Sequence, residues 1–192
     1  MNTTSIMIVG VGGQGSLLAS KLLGRLLMNE GYDVKVSEVH GMSQRGGSVV
    51  TYVRYGEKVY SPVITKGEAD FIVSFEKLEG ARYVDCLKKG GKIIVNVQEM
   101  DPMPVITGAV EYPHDILDEV KANGADVDAI DALAMAIEAG SPKATNLVLM
   151  GRLAKYFGIA EDKWMTAIEQ CVKPQFIEMN KKAFDLGYHY GE

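Results

Sequence analysis

Residues 5–24 read SIMIVGVGGQGSLLASKLLG, an apolar run followed by closely spaced glycines and then by regularly spaced leucines. The apolar run ends at Gly10 and predicts a buried β-strand, because strands covered on both faces are continuously apolar. The leucines between Gln14 and Glu30 recur at the spacing of one helical face and predict a helix. A strand, a glycine turn and a helix in this order are typical of a Rossmann-like βαβ unit.

The glycines of this turn have a physical role of their own. Gly10, Gly12, Gly13 and Gly15 contain the pattern G-x-G-x-x-G. Glycine permits a tight turn and lets the backbone approach an anion closely, while the free N–H groups of the helix start face the negative charge. Gly15 also lets the helix pack closely on the strand. The turn is therefore predicted to accept an anionic group.

The remaining pattern alternates strands with helices, which indicates a mostly parallel sheet with helical crossovers. Further strands are predicted at residues 32–39, 48–55, 69–74, 90–97 and 126–130, with short ones at 59–64 and 108–113. Helices are predicted at 14–30, 76–89 and 114–124, and in four segments from Asp131 onward. We expect an α/β fold with a Rossmann-like, mostly parallel sheet, flanking helices and a helical C-terminal layer. With no linker in the pattern, residues 1–192 are predicted to form a single domain.

Composition and charge exclude several classes of protein. The net charge is −5, without the clustered positive excess that nucleic-acid binding needs. The longest apolar runs are shorter than the roughly 20 residues of a membrane span. The N-terminus lacks the basic region and cleavage site of a signal peptide, so we expect a cytoplasmic protein with no membrane or nucleic-acid partner.

Metal and cluster chemistry finds little support in this sequence. The two cysteines, Cys86 and Cys171, lie in apolar-patterned segments and are predicted to be buried thiols. They cannot supply the four thiolates of a [4Fe–4S] cluster. The three histidines show no metal-ligand spacing. The acidic cluster formed by Asp126, Asp128 and Asp131 favours capping of a helix start over metal binding.

An acidic residue near the end of the second predicted strand leaves two interpretations open. Glu38 lies 23 residues after Gly15, where a dinucleotide-binding fold places the carboxylate that binds a ribose hydroxyl. A solvated carboxylate at the end of a strand explains it equally well. His40 would lie near the glycine turn if the first two strands are neighbours, as an acid or base or as an ordinary loop histidine.

The loop that follows is predicted to be part of a site. It comprises Ser43, Gln44, Arg45, Gly46 and Gly47. An arginine fork binds phosphate or carboxylate in bidentate fashion, and the glycines let backbone N–H groups turn inward. A solvent-exposed loop without function is the alternative, but loops at the carboxyl ends of parallel strands often carry sites.

Three stretches together resemble a known family, the gamma domain of the 2-oxoacid:ferredoxin oxidoreductases. They are VGVGGQG at 9–15, GYDVKVSEVHGMSQRGGSVVTYVRYG at 31–56 and SPKATNLVLMGRLAKYFG at 141–158. The combination of GGQG with SQRGG is specific, and the third stretch extends the likeness across nearly the whole chain. Within this family the likeness is greatest to the indolepyruvate branch.

The resemblance implies an accessory beta subunit that is inactive alone. Such enzymes oxidatively decarboxylate a 2-oxo acid, here an arylpyruvate such as indolepyruvate, join the acyl group to coenzyme A and reduce ferredoxin. Thiamine diphosphate and [4Fe–4S] clusters are expected in a large alpha subunit, and this domain is expected to contact coenzyme A and cover the active site. The residues that match the family's motifs are Gly10, Gly12, Gly13, Gln14, Gly15, Ser43, Gln44, Arg45, Gly46, Gly47 and Asn146.

The residues suggest a role for some of these positions and leave three alternatives open. Gly12, Gly13 and Gly15 would accept an anion, Arg45 an anion or a partner's carboxylate, and Gln14 and Asn146 would supply orienting hydrogen bonds. A related enzyme acting on pyruvate, 2-oxoglutarate or branched-chain oxo acids would carry a similar domain. A free-standing NAD(P)- or FAD-binding oxidoreductase and a subunit that only braces its partner are the other two alternatives.

Overall fold

The computed structural model describes residues 3–41 and 47–192 of the chain. The strands are β1 (Thr4–Val11), β2 (Asp33–His40), β3 (Ser48–Gly56), β4 (Ala69–Ser74), β5 (Leu87–Asn96) and β6 (Asp126–Ile130). The N-terminal helices are α1 (Ser16–Asn29), α2 (Lys77–Arg82), α3 (Met103–Ile106) and α4 (Ile116–Ala122). The C-terminal helices are α5 (Ala132–Ala139), α6 (Thr145–Phe157), α7 (Glu161–Cys171) and α8 (Ile177–Tyr188).

The described strands form one six-stranded sheet in the order β2-β3-β1-β4-β5-β6. Strands β1, β4, β5 and β6 pair in parallel, whereas β3 pairs antiparallel with both β1 and β2. Val9, for example, lies opposite Val50 of β3 on one side and Ser74 of β4 on the other. The predicted α/β fold with a mostly parallel sheet is confirmed, but the first two strands are not neighbours because β3 lies between them.

The sheet is covered on both faces, which explains the continuous apolar run of β1. Ile6 and Ile8 belong to the core under α1 and the C-terminal helices. Met7 and Val9 belong to a second core on the opposite face, beneath α2 and α4. Trp164, the only tryptophan of the chain, is fully buried in the larger core. The predicted helical C-terminal layer is the part of the fold that covers this face.

Both of the short predicted strands are wrong. No strand is present at 59–64, where Val59 donates its N–H to the carboxylate of Asp33 at 2.9 Å and Arg54 donates to the carbonyl of Val63 at 2.7 Å. These side chains hold the segment as a loop over β2 and β3. At 108–113 the first backbone N–H groups complete the turn at the end of α3, with the carbonyl of Pro104 accepting two of them. These N–H groups are therefore not available to pair with a neighbouring strand.

The helix predicted at 76–89 is also wrong in its second half. Helix α2 ends at Arg82, a short 3₁₀ turn spans Val84–Cys86, and β5 begins at Leu87. Pairing with β4, which brings Leu87 opposite Ala69, overrides the helical pattern of this segment. Helix α1 begins at Ser16 rather than at Gln14.

Capping at the later helices follows the sequence prediction. Asp131 accepts a hydrogen bond from the N–H of Ala134 at 2.9 Å and so caps α5. Its neighbours Asp126 and Asp128 are bonded to Lys92 and Arg152 respectively. Ser141 accepts a hydrogen bond from the N–H of Lys143 at 3.2 Å, which confirms it as the cap of the turn that leads into α6.

Two further observations bear on the composition arguments. Both cysteines are only half-buried, so the prediction of fully buried thiols is too strong. Among the described residues, no helix combines the length and the apolar character that a membrane crossing requires.

Candidate functional site

The glycine turn joins the carboxyl end of β1 to the first turn of α1. Gly13 has a φ of +102° and Gly15 a φ of +91°, which lie in the left-handed region that favours glycine. Gly15 is the N-cap of α1 and has no side chain that could satisfy the helix's first N–H groups. The backbone of the turn, rather than its side chains, is therefore presented to a ligand.

Several N–H groups of this turn are available to an anion. Within the ranges that the structure describes, no acceptor is found for the backbone N–H of Gly13, Gly15, Ser16 or Leu17. These donors lie at the positive end of the dipole of α1, a helix of 14 residues. Unsatisfied donors combined with a helix N-terminus form a typical binding arrangement for phosphate or carboxylate.

Gln14 holds the turn against the ends of the neighbouring strands. Its Oε1 accepts a hydrogen bond from the N–H of Val11 at 2.8 Å, and its Nε2 donates to the carbonyl of Phe75 at 3.1 Å and to Oε1 of Gln98 at 3.4 Å. A Cβ at Gly10 would lie 2.8 Å from both Gln14 Oε1 and Phe75 Cβ. Glycine at position 10 therefore makes room for the Gln14 side chain.

Asn146, near the start of α6, supports the turn from behind. Its Nδ2 donates to the carbonyl of Gly15 at 3.2 Å, and its Oδ1 accepts a hydrogen bond from the N–H of Leu147 at 2.9 Å. A Cβ at Gly15 would lie only 2.9 Å from Nδ2 of Asn146. With 3% of its surface exposed, Asn146 positions the glycine turn rather than facing a ligand.

Two open clefts meet at the turn, and Gly12, Gly13 and Gly15 line both of them. The first cleft, of about 430 Å³, lies toward the end of β2 and the start of β3. Its other lining residues are Ser16, Leu17, Glu38, His40 and Val49. The second cleft, of about 470 Å³, lies toward the end of β5 and the start of α6. Its other lining residues are Gln14, Gln98, Met100, Leu133, Pro142, Lys143 and Thr145.

The two clefts differ in charge. Glu38 lines the first cleft, where its carboxylate lies 3.4 Å from the Thr51 hydroxyl. The imidazole Nδ1 of His40 in the same cleft lies 3.2 Å from the carbonyl of Gly41. Lys143 is the one charged residue among the described lining of the second cleft. The second cleft therefore suits an anion better than the first.

A buried carboxylate fixes the segment that forms one wall of the second cleft. Glu76 is 1% exposed and accepts hydrogen bonds from the N–H of Glu79 at 2.8 Å and of Met100 at 3.2 Å. The Tyr112 hydroxyl also donates to Glu76. Burial, together with this carboxylate, raises the pKa of Tyr112 well above its usual value, so the hydroxyl remains a donor at physiological pH.

The lining residues support binding rather than a covalent reaction step. Among those described, no serine or cysteine nucleophile is hydrogen-bonded to a histidine or carboxylate base. The available groups are backbone donors, amides, the hydroxyls of Ser16 and Thr145, one carboxylate, one imidazole and one ammonium. They can hold and orient a negatively charged ligand that reacts elsewhere.

The structure separates the predicted site residues into two groups. Gly12, Gly13, Gln14, Gly15 and Glu38 line a cleft, whereas Gly10 and Asn146 lie behind the turn and line neither. The carbonyl of Gly47 accepts a hydrogen bond from the N–H of Gly12 at 2.8 Å, which ties the end of the predicted loop to the turn. The predictions for Ser43, Gln44, Arg45 and Gly46 lie outside the described residues.

Sequence reasoning missed the residues that later elements bring to the second cleft. Lys143 follows the helix start at Ser141 and Pro142, a signal that was used only to place the helix. Gln98 and Met100 follow β5 at the carboxyl edge of the sheet, where sites are common, but nothing in their own residue types indicated it.

The strand order argues against a dinucleotide site of the ordinary Rossmann type. In that fold the acid that binds the ribose ends the strand adjacent to the glycine turn. Here β3 lies between β1 and β2, so Glu38 stands two strand spacings, about 10 Å, from β1 in the plane of the sheet. Glu38 still lines one cleft with the glycine turn, so its role as a ribose ligand stays a prediction.

Comparison with known proteins gives a consistent family assignment. Residues 5–190 match the model of the pyruvate ferredoxin/flavodoxin oxidoreductase family. The chain is 44% identical to "Indolepyruvate oxidoreductase subunit IorB" of Thermococcus kodakarensis, over 97% of this chain and 95% of that protein. It is 38% identical to the protein of the same name from Archaeoglobus fulgidus, over 96% and 94% of the two chains.

Solved structures show the same fold at lower identity. Pyruvate oxidoreductase subunit PORC of Thermotoga maritima has a TM-score of 0.75 at 21% identity and covers 98% of this chain and 96% of its own. The 2-oxoglutarate:ferredoxin oxidoreductase of Magnetococcus marinus also has a TM-score of 0.75, at 20% identity, with 97% of this chain matching 30% of the larger one. The glycine turn, the sheet built around it and the match across nearly all residues agree: this chain belongs to the pyruvate ferredoxin/flavodoxin oxidoreductase family.

Proposed function

We propose that this chain is the accessory subunit of a 2-oxoacid:ferredoxin oxidoreductase that converts arylpyruvates, such as indolepyruvate, into acyl-coenzyme A. The observation that carries the proposal is the 44% identity, over 97% of the chain, to proteins named as subunits of an indolepyruvate oxidoreductase. The identity to the "Pyruvate/ketoisovalerate oxidoreductases common subunit gamma" of Thermococcus litoralis is lower, at 27%. This difference favours the arylpyruvate enzyme over its pyruvate counterpart.

The residues of the chain fit a role in binding coenzyme A. Gly13 and Gly15, whose N–H groups have no acceptor among the described residues, line the second cleft together with Lys143, and N–H and ammonium donors both suit a phosphate. We assign the phosphate groups of coenzyme A to this second cleft, because the first presents the Glu38 carboxylate and would repel them. In this assignment Gly13 and Gly15 approach the phosphate, while Gln14 and Asn146 keep the turn in shape.

Thiamine diphosphate and iron–sulfur clusters are assigned to a large partner subunit. The two cysteines of the chain are too few for a [4Fe–4S] cluster, which requires four thiolates. When bound in the partner, these groups supply the decarboxylation chemistry and the electron path to ferredoxin. The residues of this chain hold the thiol-bearing cosubstrate and exclude water from the partner's active site.

Exposed apolar side chains near the clefts support a covering partner. Leu17, in the first turn of α1, is 66% exposed, and Met103 and Ile106 of α3 are 67% and 64% exposed. Val110, in the turn that follows, is 57% exposed. These residues belong to segments at the carboxyl edge of the sheet, where a partner subunit can bury them while closing the site.

The first test is purification of the tagged chain from its native host under anaerobic conditions. We expect a stoichiometric large subunit that carries iron–sulfur clusters and thiamine diphosphate, with coenzyme A-dependent ferredoxin reduction by indolepyruvate. Recovery of the chain alone, with a bound dinucleotide or with NADH affinity in a fluorescence titration, would contradict the proposal. Faster turnover with pyruvate or 2-oxoglutarate than with indolepyruvate would contradict the substrate assignment only.

A second test separates the binding of coenzyme A from assembly. Lys143→Ala in the assembled enzyme is expected to raise the KM for coenzyme A severalfold while the KM for the oxo acid stays the same. Lys89→Ala is the matched control, because Lys89 is also an exposed lysine and lies outside both clefts. Arg45→Ala is tested in the same assay, and unchanged kinetics would remove Arg45 from the proposed site.

A further inference from the structure

A separate groove lies between the N-terminal part of α1 and the C-terminal helices, and the proposed function does not use it. It has a volume of about 580 Å³. Leu18, Val172, Phe176 and Met179 form apolar walls, and Cys171 contributes its thiol. Phe176 is 44% exposed, so a large aromatic surface of the groove faces solvent. Exposed apolar surface of this kind marks interaction sites.

Among the described residues, several positive charges near this groove have no carboxylate partner. Lys173 lines it directly, whereas Lys143, which also borders the groove, is assigned above to the phosphate site of the second cleft. Lys21 and Arg25 of α1 lie beside the Cys171 thiol, which donates to the carbonyl of Lys21 at 3.9 Å. Burial raises the pKa of that thiol, and the charges of Lys21 and Arg25 act against the shift.

The cations beside this groove lie close together and lack neutralising carboxylates among the described residues. In the ranges 3–41 and 47–192, no carboxylate oxygen lies within 4 Å of the cationic groups of Lys21, Arg25 or Lys173, whereas many other lysines and arginines are so paired. The whole chain carries a net charge of −5, so the cluster opposes the overall sign. Uncompensated cations repel one another until an acidic partner neutralises them.

The floor of the groove offers one hydrogen-bond acceptor. Asn180 is 5% exposed and lines the groove. Its Nδ2 donates to the carbonyl of Phe176 at 2.7 Å, whereas none of the described residues donates to its Oδ1. An amide oxygen in this position can accept the N–H of an incoming backbone.

We propose that this groove receives an acidic segment of the large partner subunit, with apolar side chains in the groove and carboxylates on the rim. The inference rests on the proposed function, because it takes the large subunit as the occupant. Lys143 lines both the groove and the second cleft, so the two surfaces are continuous. A partner that closes the cleft can therefore also cover the groove.

The charges and the shape of the groove argue against other occupants. A second copy of the chain, docked symmetrically through the same surface, would oppose one cationic rim to another. A small apolar molecule would fill the groove but leave the cationic rim without a neutralising charge. An acidic segment satisfies both the apolar walls and the rim.

The test uses the two thiols of the chain as probe and internal control. Cys171 lies in the groove and Cys86 outside it, and both are half-buried thiols whose pKa is raised by burial. Labelling with N-ethylmaleimide is followed by mass spectrometry of peptides, in the isolated chain and in the complex purified from the native host. We expect labelling of Cys171 to slow at least tenfold in the complex, with Cys86 unchanged.

Charge reversal provides a second readout. Arg25→Glu combined with Lys173→Glu is expected to weaken assembly at least tenfold, with the largest effect at low salt, where charge attraction is least screened. Lys89→Glu, an exposed lysine away from the groove, should leave assembly unchanged. Thermal melts followed through Trp164 fluorescence verify that the variants are folded.

The outcomes distinguish the two proposals. A complex that forms while Cys171 stays fully reactive, or that tolerates the double charge reversal, refutes the groove as the docking site but does not contradict the proposed function. A chain that is recovered without any large subunit overturns the proposed function and the groove with it. Labelling of Cys171 that slows equally in a homodimer of the isolated chain assigns the groove to a second copy instead.

Discussion

The side-chain amide of Asn146 donates a hydrogen bond to the carbonyl of Gly15 across 131 residues of sequence, with an Nδ2–O distance of 3.2 Å. A Cβ at Gly15 would lie only 2.9 Å from the same nitrogen, which is too close for an ordinary contact. Asn146 and Gly15 therefore form one unit, in which the small residue admits the amide and the amide fixes the backbone. This contact connects the C-terminal helical layer to the glycine turn.

Substitution at Gly15 should therefore be coupled to substitution at Asn146. Gly15→Ala is expected to cost about 1–2 kcal/mol from its φ of +91° alone, with a further penalty from contact with Asn146. In Gly15→Ala with Asn146→Ala the added methyl group has room, so the double variant should lose less stability than the sum of the two. Urea unfolding followed through Trp164 fluorescence gives the free energy of unfolding of the unmodified chain, the two single variants and the double variant.

Gly31 provides the control for this cycle. Its φ of +86° is similar, but no atom lies within 4 Å of a Cβ built there. Gly31→Ala should lose only the backbone contribution and show no coupling to Asn146→Ala. Strictly additive effects at Gly15 and Asn146 would refute the linkage inferred above.

The open backbone of Gly13 predicts a ligand effect without a packing effect. Gly13 has a φ of +102°, and a Cβ there would meet no atom within 4 Å. Gly13→Ala and Gly31→Ala should both destabilise the chain by about 1 kcal/mol. Only Gly13→Ala should raise the KM for coenzyme A in the assembled enzyme, because only Gly13 faces a cleft. Equal KM values in the two variants would make the turn merely structural.

Removal of the Tyr112 hydroxyl should destabilise the wall of the second cleft. Glu76 is almost fully buried and would keep the N–H donors of Glu79 and Met100 but lose the phenol. Tyr112→Phe is expected to cost about 1–3 kcal/mol, the usual penalty for a buried polar group that loses a partner. Tyr60→Phe, at a tyrosine that is 86% exposed, should cost nothing measurable in the same unfolding assay.

The C-terminus carries a histidine whose titration should be shifted upward. Nδ1 of His189 lies 2.6 Å from Oε2 of Glu192, and this bond raises the pKa of His189 above 6.5. A raised pKa in the folded state stabilises the C-terminal turn below the unfolded pKa, and this contribution is lost as the pH rises through the folded pKa. NMR titration of the imidazole should show the upward shift, and Glu192→Gln should move the pKa back toward 6.5.

The pKa of Glu192, the partner of His189, is shifted in the opposite direction. Hydrogen bonds from Lys155 and His189 lower the pKa of Glu192 to about 2. Its contribution is therefore present above the ordinary glutamate pKa and is lost as the pH falls toward 2. An unchanged His189 titration in the Glu192→Gln variant would show that the pair does not interact in solution.

Local sequence patterns predicted the elements that depend on short-range physics. The continuous apolar run of β1, the glycines before α1 and the cap at Ser141 each follow from burial, backbone freedom or an orphan N–H group within a few residues. The resemblance carried by the glycine turn and the SQRGG stretch correctly identified the family. Two of the predictions that failed required knowledge of distant partners.

Two of the failures share one physical cause, whereas the strand predicted at 108–113 is replaced by a local turn onto Pro104. The segment at 76–89 has a helical pattern but ends as β5, because β4 offers Leu87 a strand partner at Ala69. The segment at 59–64 has strand-like residues but is held as a loop by Asp33 and Arg54. In both cases one deciding contact comes from a residue far along the chain, Ala69 or Asp33, which a short local window does not contain.

Contiguous residues were sufficient to predict the α/β class, the glycine turn and the family, because each of these depends on spacings that reflect local geometry. Packing in three dimensions established that β3 separates β1 from β2 and that Asn146 supports Gly15. It also decided that Lys143 faces the cleft beside the turn. These relationships depend on how the sheet orders its strands and how helices pack upon it, and those choices minimise the free energy of the whole core rather than of any segment.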